Sequence, residues 1–115
     1  MKRAFVIILG VVGALAMAEG SALAQDAKAT KAIDIFVKQK CTTCHSLAGR
    51  GSKKGPLDDV GGKLTGAQIR EWLVDPIAMA AKTQPPPTRK PPMKKKALSA
   101  EEIDTLVTYL STLKG

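Results

Sequence analysis

Cys41-Thr42-Thr43-Cys44-His45 holds both cysteines and the single histidine of this 115-residue chain. Two thiols three positions apart, followed at once by an imidazole, form the c-type haem attachment pattern. At a helix end that spacing lets each thiol add to one of two vinyl groups on one edge of the macrocycle. The adjacent imidazole is then held beneath the iron as a ligand. Two other chemistries use the same residue types. A thioredoxin-like redox pair would need the motif to follow a strand in a βαβ unit, and no strand is evident here. Zinc would want four ligands from cysteine and histidine, where three exist. The motif therefore predicts one covalent haem c, with Cys41 and Cys44 as thioether anchors and His45 on the iron.

The rest of the composition agrees with a chain that needs a prosthetic group. At 44% hydrophobic and 24% charged residues, with a mean hydropathy of −0.02, it has a globular balance. Its length allows one small domain and excludes a multidomain enzyme. Only Phe5, Phe36, Trp72 and Tyr109 are aromatic, so side chains alone promise a thin core. A net charge of +8 and a pI near 9.7 predict a surface that attracts anionic partners. Nucleic acid is disfavoured among these, because stacking aromatics are scarce.

Upstream of the motif, Lys2 and Arg3 precede an apolar run from Ala4 to Ala18, and Ala22-Leu23-Ala24 supplies a small-x-small cleavage pattern. The run is shorter than the roughly 20 residues of a spanning helix. Residues 1–24 are therefore expected to be a cleavable secretory signal, leaving 25–115 as the working domain. That domain is expected to be exported, periplasmic and without stable membrane insertion, and export also argues against a nucleic acid partner.

Outward from the motif the periodicities are helical. Ile33, Phe36 and Val37 share one face of a helix expected over Ala29–Lys40. Residues 46–62 contain five glycines and no period, and predict a wrapping loop. Thr65 with Gln68 can cap a short helix through Ile69, Trp72 and Leu73, which Asp75-Pro76 ends or restarts. Five of the seven prolines fall between Gln84 and Pro92, an extended strap without ladder hydrogen bonds. Ser99 with Glu102 forms a second capping box, before a stripe of Ile103, Leu106, Val107, Leu110 and Leu113. The expected class is all-α, with three to four helices and long loops wrapped around one covalently bound haem.

At this point the chain resembles the class I cytochromes c, across essentially all of residues 25–115. The resemblance is carried by Cys41 to His45 after one helix, by Gly55-Pro56-Leu57 in the following loop, and by a terminal helix from Ser99 to Lys114. It implies the cytochrome c fold and a one-electron carrier rather than an enzyme. By resemblance, the Pro56 carbonyl accepts a hydrogen bond from the proximal imidazole, and Phe36 and Tyr109 form the aromatic pair where the terminal helices cross. Trp72 resembles the family's middle-helix tryptophan, which reaches a haem propionate, although it is equally readable as a packing residue. One departure is that Phe36 precedes Cys41 by five residues where the family usually has four, which puts the helix register near Lys38 to Lys40 in question.

With one histidine, a second imidazole cannot fill the sixth position of the iron, so a thioether is the expected substitute. Met79 and Met93 remain after signal cleavage. Met93 follows Pro91-Pro92 in extended backbone and resembles the family's methionine loop, with Lys94 in place of a trailing proline. Met79 reads more simply as a packing side chain, so Met93 is the expected ligand. His/Met ligation favours the ferrous state and leaves no open site for oxygen chemistry. Lys38, Lys40, Lys53, Lys54 and Lys94 to Lys96 flank the motif and the strap, and predict docking of acidic redox partners or, equally, an ordinary solvated face. A free monomeric carrier is expected. The competing functions are an electron-transfer subunit of a larger oxidoreductase and a haem protein with a vacant sixth position. The second is discounted because helical-bundle cytochromes of that kind carry CxxCH near the C-terminus.

Overall fold

The computed structural model describes the backbone of residues 15–115 and the side chains of 26–115. Lys2, Arg3 and most of the apolar run lie outside the described residues. Five helices follow in order: α1 Leu15–Lys38, α2 Val60–Lys63, α3 Gly66–Val74, α4 Pro76–Lys82 and α5 Ala100–Leu110. The sequence led to three or four. The additional elements are the four-residue α2, inside what read as an unbroken loop, and α4, which begins anew at Pro76. Proline suits that first helical position, because its missing N–H is not needed there, and the Asp75 carboxylate accepts from the Ala78 N–H at 3.0 Å. Among the described residues, the strands form one hairpin, β1 Ser46–Leu47 against β2 Arg50–Gly51.

Both predicted capping boxes are present. Thr65 and Gln68 bond reciprocally at the start of α3, and Ser99 and Glu102 do so at the start of α5. The Ser99 backbone N–H, followed by the Gln39 amide, holds the Glu102 carboxyl below its usual range. α5 packs against α1 on one side and α3 on the other. Its buried Leu106 and Leu110 meet Ala32, Ile35 and Phe36 of α1, Ile69 of α3 and Leu47 of β1 in one cluster. Val107 and Leu113 pack half-buried against it, and Ile103, one turn nearer the start of α5, is half-buried. Phe36 is buried and Tyr109 packs against the same cluster, in keeping with an aromatic pair at the helix crossing.

α1 differs from expectation in its start, which lies at Leu15 rather than Ala29, in its end and in its face. It stops at Lys38, two residues early, and Val37 is 41% exposed while Ala32, Ile35 and Phe36 form the buried stripe. The reason lies in the turn that follows. Lys40 adopts a left-handed conformation (φ 58°), while the Gln39 and Lys40 N–H groups still bond to Ile35 and Val37. A left-handed residue just past a helix is a common terminator. It reverses the chain into the attachment motif and takes up the extra residue between Phe36 and Cys41 outside the helix.

Candidate haem attachment site

Cys41–Thr43 form a single 3-10 turn, in which the Cys44 and His45 N–H groups both bond to the Cys41 carbonyl, at 3.1 and 2.9 Å. The turn and the two residues after it carry both cysteines and the histidine on five consecutive residues. Both cysteines are free thiols and half-buried. Burial pushes the Cys41 thiol up from its ordinary value, partly offset by the positive charge of Lys96. Among the described residues no three side chains from His, Cys, Asp and Glu gather to hold a metal ion. The motif precedes a two-strand antiparallel hairpin rather than following a strand, which removes the thioredoxin-like one.

Downstream, the chain folds back on His45 through three close approaches. Ala48 and Gly49 turn the hairpin with positive φ at both positions (51° and 78°), the pattern of a type I′ turn. The Ala48 N–H is held by Asp58 Oδ1 at 2.9 Å. Gly51, at φ 101°, brings backbone so close to the His45 carbonyl and to Thr42 that a Cβ there would collide with the former. The third approach is a parallel bridge between Ser46 and Pro56, in which Ser46 N–H donates to the Gly55 carbonyl at 3.1 Å and Leu57 N–H donates to the Ser46 carbonyl at 2.9 Å.

That bridge corrects the assignment of the imidazole's acceptor. His45 Nδ1 lies 3.1 Å from the Gly55 carbonyl oxygen, so Gly55 takes the role the resemblance gave to Pro56. The ladder explains it. Ser46 bonds to the residues on either side of Pro56, and a proline, lacking an N–H, fits the one position of the bridge from which no donor is required. The Gly55 carbonyl is thereby fixed next to the ring. Because a carbonyl only accepts, Nδ1 must carry the proton, and Nε2 is left with its lone pair for a metal. Burial lowers the His45 pKa, the bond to Gly55 opposes this and Arg89 adds to it, so the ring stays neutral to a lower pH than usual. Two free thiols and one neutral, oriented imidazole are the donor set that haem c requires.

The two methionines are placed differently. Met79 is buried on α4, 8% exposed, whereas Met93 is 36% exposed on the strap between α4 and α5. Arg89, upstream of Met93, donates to the Cys44 carbonyl, and Lys96, downstream of it, lies close enough to Cys41 to act on its thiol. The strap thus meets the attachment turn just upstream of Met93. Trp72 is half-buried on α3. Sequence reasoning missed Arg89, whose contact crosses 45 residues and has no local signature.

Among the described residues no helix is long and apolar enough to cross a membrane. No solved structure matches the chain significantly. Cytochrome c2 of Rhodospirillum rubrum is 31% identical over 140 aligned positions, which cover 99% of this chain and all of that protein. Residues 29–114 match the family described as Cytochrome c, a range that takes in α2 to α5, most of the described α1 side chains and the whole attachment motif. The chain therefore belongs to the cytochrome c family, whose members are electron carriers with covalently bound haem c, and Cys41 and Cys44 are the cysteines it offers for that attachment.

Proposed function

We propose that the chain is a soluble, exported one-electron carrier rather than an enzyme, that His45 and Met93 ligate its iron, and that it docks acidic redox partners. When bound, haem c supplies a reversible one-electron iron couple. His45 donates from Nδ1 to Gly55 and so presents Nε2 at a fixed angle, which makes the imidazole a more basic ligand. Met93 completes the ligand set from the strap. The observation that carries this choice over Met79 is the bond to the Cys44 carbonyl from Arg89, four residues upstream of Met93 on the same strap.

The test is the ferric absorption spectrum, in which a weak band near the red end reports sulfur-to-iron charge transfer. Met93→Ala is expected to abolish the band and Met79→Ala to keep it. Persistence of the band in Met93→Ala would falsify the ligand assignment.

Charge pairing supports the partner reading. The four ion pairs among the described residues join Lys31 to Glu101, Lys63 to Asp59, Arg70 to Asp104 and Lys82 to Glu71. None of Lys38, Lys40, Lys53, Lys54, Lys94, Lys95 and Lys96 takes part in them. Unneutralised positive charge around the attachment turn steers an acidic protein and orients it, through a rate that falls with ionic strength. Electron transfer to an acidic acceptor protein is expected to slow by about tenfold or more between low and physiological salt. A rate flat across that range would leave the lysines as an ordinary solvated face. Export is supported by Lys2, Arg3, the apolar run to Ala18 and Ala22-Leu23-Ala24, with cleavage after Ala24.

A further inference from the structure

Arg89 stands four residues before Met93 on the strap, yet its guanidinium is committed to the attachment turn. Nη2 donates to the Cys44 carbonyl at 2.5 Å. Nη1 packs over Gly55, where a Cβ would collide with it and with that same carbonyl. Gly55 thus serves twice: its carbonyl orients His45, and its missing side chain leaves the space the guanidinium fills. Among the described residues Arg89 has no carboxylate partner, so its charge stands beside the turn unneutralised. That charge also acts on the His45 ring.

We propose that Arg89 is a positioning residue that clasps the Met93 strap to the attachment turn and sets a permanent positive charge beside the proximal imidazole. The inference rests on Met93 being the sixth ligand. A planar guanidinium can donate to a carbonyl with one nitrogen and lie against a glycine with another, which a lysine ammonium cannot do at the same time. A hydrogen bond from a charged donor is stronger than a neutral one. The clasp limits how far the strap can swing, and so how readily the sulfur leaves the iron. With haem bound, a fixed charge beside His45 would favour the reduced state, because reduction would remove one positive charge from the group that His45 holds. Arg89 is exposed, so salt screens this effect.

The test uses the holoprotein as wild type, Arg89→Gln, Arg89→Lys and Met93→Ala. Urea titration of the ferric red-end band follows the strap, far-ultraviolet circular dichroism follows the helices, and the reduction potential is measured at low and high salt. In Arg89→Gln the band is expected to disappear at lower urea than in wild type, while the helical midpoint stays in place. Its potential is expected to fall, by less at high salt. Arg89→Lys should restore the potential but not the urea midpoint of the band. A band that vanishes in Met93→Ala, with wild-type midpoint and potential in Arg89→Gln, overturns the clasp and leaves the ligand assignment standing. A change in only one of the two readouts overturns the half of the proposal whose readout does not move. A band that survives in Met93→Ala overturns the ligand assignment, and the clasp with it.

Discussion

Replacing Cys41 and Cys44 together with serine is expected to give an exported chain that carries no covalent haem and does not fold cooperatively. Both thiols are free and half-buried on one turn, and no other cysteine can substitute. Serine keeps the size of the side chain but its hydroxyl does not form the thioether. The structural consequence follows from how little else fills the interior. The buried apolar cluster is Ala32, Ile35, Phe36, Leu47, Ile69, Leu106 and Leu110, with one aromatic ring among them. A domain of this size is marginal on side-chain burial alone. On a denaturing gel stained for haem peroxidase activity, the wild-type chain, with the mass of residues 25–115 plus one haem, should stain and the double variant should not. Each single variant, with one bond left, should stain and retain helical circular dichroism. A double variant that stained on the gel would sink the assignment of the anchors.

The second large effect is expected at a pair of neighbouring glycines in α2. A Cβ at Gly61 would run into the Ser111 carbonyl and stand 2.7 Å from the Leu110 carbonyl, both backbone atoms at the end of α5. Lys114 tightens the same contact, with Nζ 2.6 Å from the Gly61 carbonyl. Nothing at that place can rotate away, so Gly61→Ala must displace α2 from α5. Overpacking of this kind costs about 1–3 kcal/mol, and in a domain of this length each kcal/mol lowers Tm by roughly 4–8 °C. At Gly62 a Cβ would lie 3.7 Å from the nearest atom, ordinary contact distance. Gly62→Ala is therefore expected to stabilise the helix by about 0.5–1 kcal/mol, through the lower backbone entropy of the unfolded chain. Thermal unfolding of the oxidised holoprotein reads both changes. Equal Tm values for the two variants would show that α2 is not seated on α5.

How far the fold was legible follows the distance over which each signal acts. The boxes at Thr65 and Ser99 were readable because all their partners lie within four residues, whereas Asp75-Pro76 marked a break that could end a helix or restart one, and the Asp75 cap on Ala78 shows that it restarts. The Val37 error is of another kind. Ile33, Phe36 and Val37 share a helical face by spacing, but the buried side of α1 is set by where α5 lies, and that side centres on Ala32 and Phe36. α2 escaped notice because a Val-Gly-Gly-Lys segment has no helical propensity of its own. It is helical where Gly61 meets the end of α5.

By itself the chain determined its prosthetic group, its helical class and its proline strap, because the attachment motif, the caps and a run of prolines each act through neighbours along the backbone. Only the tertiary structure decided which carbonyl receives the imidazole proton and where the Arg89 guanidinium rests. Gly55 and Pro56 differ by one residue in a bridge whose register is set from Ser46, and Arg89 meets Cys44 across 45 residues of sequence. Contacts of that kind depend on how separate segments are brought side by side, and packing of the whole domain sets that arrangement.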